Sequence, residues 1–290
     1  MAAKHETRRG DAVAHGGVVN EVRRSIPLRG QWNLIWNFAQ RDLKAKFNGT
    51  LLGWAWSLVV PLASLGIYTL VFSVWMRMTP PPFGNGNDGI YVIFLFGGLT
   101  MWLFFANSVN SGIAGLSSSG GLLQKIYFPS YTPVIGAGVA VGIQSLIEFA
   151  IYVVVLIGFL NVGWTWLLLP VLLGLFAVFS WSLAAGIAIL NVYARDLAHL
   201  VNVALQLLFY ATPILYTVDI IPESWNGLPM KDIIMFSPIA EFITMFRNLS
   251  YSLTAGTLSD WAAILAWTAA AAVFATWVYR TKGGDVGERI

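Results

Sequence analysis

The 290-residue chain is 57% apolar and 11% charged, has no cysteine, and carries 17 Lys and Arg against 14 Asp and Glu, for a net charge of +3. Soluble domains are about 25% charged, so a water-soluble fold of ordinary surface is excluded. The lack of cysteine excludes a disulfide scaffold, a thiolate metal centre and a cysteine nucleophile.

In chain order, residues 1–27 are polar, mixed in charge and aperiodic, with no apolar core of a cleavable signal peptide. They read as a disordered cytoplasmic tail. Over 28–48, Trp32, Ile35, Trp36, Ala39 and Leu43 recur at helical spacing, with Asn33, Asn37, Gln40, Arg41 and Lys44 on other faces. That pattern predicts an amphipathic helix in the membrane interface, either a plain anchor or a docking element for a cytoplasmic partner.

Residues 49–282 read as one transmembrane domain. Crossing a hydrocarbon core of about 30 Å takes about 20 apolar residues. Six stretches qualify: Leu51–Trp75, Ile90–Val109, Val134–Leu160, Trp164–Val192, Leu197–Val218 and Trp261–Tyr279. The 46 residues between Glu148 and Arg195 contain no charge. As one helix they would extend about 69 Å, so the chain must fold back, and Asn161-Val162-Gly163 is the turn.

With the N-terminus in the cytoplasm, inside segments hold 14 Lys and Arg and outside segments hold Arg77, Lys231 and Arg247. This bias places both termini, including the tail 283–290, in the cytoplasm. The loop from Ser117 is broken by Gly120-Gly121 and bounded by Pro129 and Pro133, leaving room for a short helix over about 122–128. The outside segment Asp219–Asp260 is too apolar for a solvated loop. Its run Ile233–Phe246 is too short to span and fits a re-entrant helix hinged at Ser237-Pro238, within a region of about 223–250.

No phosphate-binding GxxxxGK[ST], HExxH or GxSxG motif is present, and His5, His15 and His199 form no metal cluster. The chain is therefore expected not to be an enzyme and to bind no cofactor or metal. Glu148 is the only carboxylate deep within a span, and Gln144 and Tyr152 share its helical face. This polar stripe is either a proton or substrate site or a hydrogen-bonded packing device. Most tryptophans fall near span ends as interfacial anchors. Phe104, Phe105, Phe209, Tyr210 and Tyr216 do not, and are either ordinary packing aromatics or rings lining a conduit for sugars.

Four ordered stretches resemble the permease subunit of ABC-2-type exporters, in the branch that moves O-antigen, teichoic acid and related glycans. Arg41-Asp42-Leu43-Lys44 leading to Leu52-Gly53-Trp54-Ala55-Trp56 and Pro61 is similar to the family's lead-in to the first span. Leu122-Leu123-Gln124-Lys125-Ile126-Tyr127-Phe128-Pro129 resembles its coupling helix. Tyr193-Ala194-Arg195-Asp196-Leu197 with Phe209-Tyr210-Ala211-Thr212-Pro213-Ile214 and Tyr216 is similar to the signature around span five. Ser237-Pro238 through Phe246-Arg247 resembles the element before the last span. Two departures stand out: Tyr193-Ala194-Arg195 is one residue longer than the family's tight form, and Ser237 replaces the usual Asn.

The resemblance implies a homodimer, in the bacterial inner (plasma) membrane, bound to two copies of a separate ATPase that holds ATP and Mg. The cargo would be a polyprenyl-phosphate-linked polysaccharide, with membrane lipids but no nucleic acid as further partners. It implies that Arg41, Asp42, Leu122, Lys125, Tyr127, Phe128, Pro129, Arg195 and Asp196 couple to the ATPase. It also implies that Pro238, Ile239, Phe242, Phe246 and Arg247 belong to an exit gate. The alternatives are a drug or lipid permease of the same architecture, and a secondary transporter or channel subunit.

Overall fold

The computed structural model describes residues 28–47, 53–125, 128–225 and 227–290. The expected tail 1–27 and Tyr127 lie outside the described residues. Helices account for most of the described chain, and no strand occurs among the described residues beyond one isolated bridge, Trp225 to Leu228.

Helix α1 covers Leu28–Phe47. A short turn Gly53–Ala55 leads into α2, Trp56–Tyr68, whose helix widens into a π-helical stretch over Thr69–Trp75. Helix α3 is Tyr91–Ser118 and α4 is Gly120–Leu123. Helix α5, Tyr131–Gly158, turns back through the tight 3-10 stretch Trp164–Leu168 into α6, Leu169–Tyr193. Helix α7 is Leu197–Ala211, α8 is Met230–Met235 and α9 is Pro238–Ser250. Helix α10, Leu258–Lys282, and the short α11, Val286–Arg289, complete the chain.

Among the described residues, five segments are long and apolar enough to cross a membrane: Leu58–Trp75, Tyr91–Ser118, Tyr131–Gly158, Trp164–Tyr193 and Leu258–Lys282. The fifth expected span, Leu197–Val218, is not one continuous helix. Helix α7 has 15 residues, about 22 Å at 1.5 Å per residue. It stops because Pro213 lacks an N–H and biases the residue before it away from helix; Thr212 takes φ −82° and ψ 139°. The second span runs beyond Val109 to Ser118 because its polar end satisfies itself. Ser117 Oγ donates to Ile113 O at 2.9 Å and Ser118 Oγ to Gly115 O at 3.1 Å.

Helix α3 is the axis of the bundle, with 78% of its apolar stretch buried against 11% for Leu58–Trp75. It packs on α5, α6 and α9, while α10 packs on α6. Small residues bring the helices close. A methyl group at Gly112 would meet Val134 at 2.9 Å and Ala184 at 3.1 Å, and one at Gly115 would meet Ala137 at 3.2 Å.

Helix α1 is seated on the first half of α5 and runs in the same direction. Tyr131 donates to Gln31 at 3.1 Å, Phe38 lies against Gly136, and Lys46 Nζ donates to Gln144 Oε1 at 2.7 Å. Ile35, Phe38 and Ala39 are buried in this contact, whereas Trp32 and Trp36 remain exposed. The expected apolar stripe is thus divided between a protein-facing edge and an outward one.

Candidate functional site

Three regions collect the residues singled out by sequence. At the end of the bundle where α3 begins, α9 is inserted rather than peripheral. Ile239, Phe242, Phe246 and Leu249 are each at most 3% exposed. Phe242 stacks among Phe176 at 4.8 Å and Phe179 at 5.3 Å, and Phe246 packs on Phe149 and Tyr152. Among the expected gate residues, Ile239, Phe242 and Phe246 are therefore core residues of the protomer, because the apolar face of α9 is covered by α3, α5 and α6.

Arg247 is buried, and every one of its described partners is a carbonyl or a ring. Its Nε donates to Phe94 O at 3.2 Å, Nη1 to Pro213 O at 2.6 Å and Nη2 to Ile214 O at 2.7 Å. Its Cζ lies 3.7 Å from the centre of the Phe94 ring. Gly98 leaves the space it occupies, since a methyl group there would collide with the guanidinium. The broken end of α7 would otherwise present free carbonyls in an apolar setting, and Arg247 satisfies two of them. Tyr91 Oη donates to the carbonyl of the next residue, Leu215, at 2.6 Å.

The same end is tied by polar groups with no obvious sequence signature. Asn161 Nδ2 donates to Ser250 O at 3.1 Å and Tyr251 O at 2.9 Å, and Thr165 Oγ1 donates to Leu249 O at 2.7 Å. Tyr251 Oη donates to Pro81 O at 3.0 Å. Burial holds the Tyr251 phenol up at about 12, so it stays a neutral donor. By contrast, the segment leading into α9 is apolar and open: Trp225, Leu228, Ile233 and Phe236 are all more than half exposed.

The second region is a groove of about 290 Å³ between α2, α3 and α7. Its rings are Tyr68, Trp102, Phe209 and Tyr210, and its polar groups are Ser64, Asn110, Asn202 and Gln206. Phe209 links the rings, at 5.9 Å from Tyr68, 5.6 Å from Trp102 and 5.2 Å from Tyr210. Asn202, Gln206 and Tyr210 recur every fourth residue, so one face of α7 alternates amide, amide and phenol. That face is exposed in the protomer. Amides and exposed ring faces are the groups that bind hydroxyl-rich, flat-faced ligands.

Of the five aromatics expected to line a conduit, Phe209 and Tyr210 lie in this groove. Tyr216 caps α7 instead, donating to Tyr210 O at 3.2 Å and Ala211 O at 3.0 Å. Phe104 and Phe105 are corrected by the structure: they are 5% and 2% exposed, packed on Phe176 inside the protomer. Asn202 and Gln206 were missed, although amides four apart on an apolar helix are a legible signal. Tyr68 and Trp102 carry no such signal, because only the packing of α2 on α3 brings them to the groove.

The third region lies at the opposite end, where α3 finishes. Of the short helix expected over about 122–128, only Leu122 and Leu123 are helical among the described residues; they end the four-residue α4, and a turn follows to Lys125. Leu122 and Lys125 are exposed, whereas Phe128 is buried against Phe38 of α1 at 5.5 Å and Pro129 is half-buried. Arg41 pairs with Asp42 at 3.1 Å and its Nη2 reaches Ser118 Oγ at 3.5 Å. Arg195 and Asp196 are exposed in the turn between α6 and α7. The side chain that fixes that turn is Asn191, whose Oδ1 accepts from Ala198 N at 2.9 Å.

Glu148 and Gln144 are buried on α5, and Glu148 Oε2 has no hydrogen-bond partner among the described residues. Among the described residues no group of His, Cys, Asp and Glu is placed to hold a metal ion.

Residues 33–251 match the profile of the ABC-2 type transporter family, and the chain belongs to that family. It is a multi-pass membrane protein, set in the inner membrane in bacteria. Over 238 residues it is 31% identical to an O-antigen export system permease protein RfbA of Myxococcus xanthus, covering 81% of this chain and 85% of that one. It is 28% identical over 221 residues to an O-antigen export system permease protein RfbA of Klebsiella pneumoniae, covering 75% and 80%. The polysialic acid transport protein KpsM of Escherichia coli is 21% identical over 218 residues, covering 72% and 77%.

Proposed function

We propose that this chain is the channel-forming subunit of an ABC exporter. In this reading it moves a lipid-linked polysaccharide of O-antigen, teichoic acid or galactan type out of the cytoplasm. The observation that carries the reading is the groove on α7. Its exposed row of Asn202, Gln206 and Tyr210 beside Tyr68, Trp102 and Phe209 supplies ring faces for sugars and amides for their hydroxyls. The relatives named for O-antigen and polysialic acid support the same class of cargo.

One protomer offers a groove, not an enclosed path, so two copies would face each other across α2 and the apolar edge of α7 that carries Leu200, Val203 and Leu207, beside its amide row. ATP and Mg would be bound by a separate ATPase, two copies per dimer, docking at the end that carries Leu122, Lys125, Arg195 and Asp196. The 14-to-3 distribution of basic residues puts that end, and both termini, in the cytoplasm. The α9 end then faces outward. With α9 committed to the core, a gate over the outer mouth would be formed by the exposed apolar side chains Trp225, Leu228, Ile233 and Phe236 that precede it.

The test is export in cells lacking the endogenous permease, read as surface glycan against glycan retained inside. The unaltered chain should restore surface glycan and co-purify an ATPase. Asn202→Leu with Gln206→Leu should retain the ATPase and accumulate glycan inside. Normal glycan export by that double variant would reject the groove as the path.

A further inference from the structure

Residues 283–290, beyond the last membrane-crossing helix, are folded back onto the connection that follows α3. Val286 is 1% exposed and closes over Leu123, Phe128 and Tyr279. Gln124 Nε2 donates to Ile290 O at 3.0 Å, and Ser130 Oγ to Gly283 O at 3.4 Å. Ile290 occupies the space over Gly120, so closely that any side chain at 120 would collide with it. Leu123 and Phe128 therefore face the tail, while Leu122 and Lys125 face away and stay exposed. A four-residue helix cannot hold its own shape in water, so its conformation is set by what it packs against.

The same segment grips the other connection at this end. Tyr193 Oη donates to Lys282 O at 2.7 Å, and its ring lies 4.3 Å from Lys282 Nζ and 4.8 Å from Arg289 Cζ. Tyr193 immediately precedes the turn with Arg195 and Asp196. Two cationic groups within about 6 Å of a ring make a favourable contact on each. The tail thus touches both connections that offer exposed side chains at this end.

We propose that residues 283–290 are a positioning segment of the ATPase-docking surface. They join α4 and the turn after Tyr193 into one platform, so that movement of the ATPase reaches α3, α5, α6 and α7 together. This rests on the reading that a separate ATPase docks at this end. In it, Val286 and Ile290 act through Leu123 and Phe128, and Tyr193 acts through Lys282 and Arg289.

The test uses the full-length permease with its ATPase in proteoliposomes, and reads ATPase co-purification and glycan exported per ATP hydrolysed. Val286→Asp places a charge in an apolar contact and should lower export per ATP about tenfold while the ATPase stays bound. Val286→Ile should behave as the unaltered chain, and the milder Gln124→Ala should lower the ratio about two- to threefold. A crosslink between Leu123→Cys and Gly287→Cys, where a Cβ at 287 would lie 3.5 Å from Leu123 O, should leave export intact once closed with a thiol-specific bifunctional reagent, since the platform stays assembled. An unchanged ratio in both Val286→Asp and Gln124→Ala would overturn the proposal, as would loss of export on closing that crosslink. Failure of the unaltered chain to retain any ATPase would overturn the transporter reading along with it; the other two results would leave that reading standing.

Discussion

Nη2 of Arg247 donates to the carbonyl of Ile214 at 2.7 Å, across 33 residues of sequence, and Nη1 does the same for Pro213. The inserted helix α9 therefore supplies the donors that the broken end of α7 lacks. A planar guanidinium with a fixed fork of donors suits two adjacent carbonyls, and an ammonium does not.

Arg247→Ala would leave the carbonyls of Phe94, Pro213 and Ile214 without this donor. The expected loss is on the order of 3 kcal/mol, seen as a melting temperature about 5–10 °C lower in detergent. Arg247→Lys should fall between the two, because it keeps charge but not the fork. Equal melting temperatures for all three proteins would contradict the clamp.

Gly98 and Arg247 share one space, so their substitutions should not add. Gly98→Ala displaces the guanidinium and should cost nearly as much as Arg247→Ala, whereas the double variant should cost little more than either. A double-mutant cycle on the same thermal assay checks this, and strict additivity would separate the two sites.

Burial in the protomer decides which outer residues a thiol reagent can reach, and the chain contributes no cysteine of its own. Ile239→Cys and Phe242→Cys should resist labelling in intact membranes, since both positions are at most 3% exposed. Phe236→Cys, at a position 72% exposed, should label readily or crosslink between copies. Rapid labelling at Ile239 with none at Phe236 would reverse the assignment of moving and fixed parts.

Tyr210 offers its ring to the groove, so Tyr210→Ala should reduce glycan export by about fivefold, the equivalent of about 1 kcal/mol of stacking. Tyr210→Phe keeps the ring face and should retain most of the export. Export rates in the complemented strain separate the two, and equal losses would assign the effect to the hydroxyl.

The seat of α1 depends on Gly136, where a methyl group would lie 3.0 Å from Ile35 O and 3.3 Å from Ala39 N. Gly136→Leu should force α1 off α5. Ala39→Cys, protected when α1 is seated because Ala39 is fully buried, should then become reactive. Continued protection would place the contact elsewhere.

The sequence by itself determined the membrane class, the approximate place of the five long apolar helices and the chain's folding back at Asn161. Those depend on the run length of apolar residues and on turn chemistry, both local properties. It also marked the start of α9, because Pro238 lacks an N–H and suits the first position of a helix, whereas the short helix expected over about 122–128 begins earlier, at Gly120, and ends at Leu123. Tertiary structure alone decided which faces of those pieces are buried. Ile239 and Phe242 look equally apolar on a gate or in a core, and Phe104 and Phe209 look equally aromatic in a core or a groove. A residue's type records what it tolerates, while its role follows from which neighbour covers it. Arg247 is the sharpest case. A cation in an apolar run can face a carbonyl, a carboxylate or the lipid phosphate boundary, and it is the fold that brings Arg247 the carbonyls that Pro213 had left without a helix.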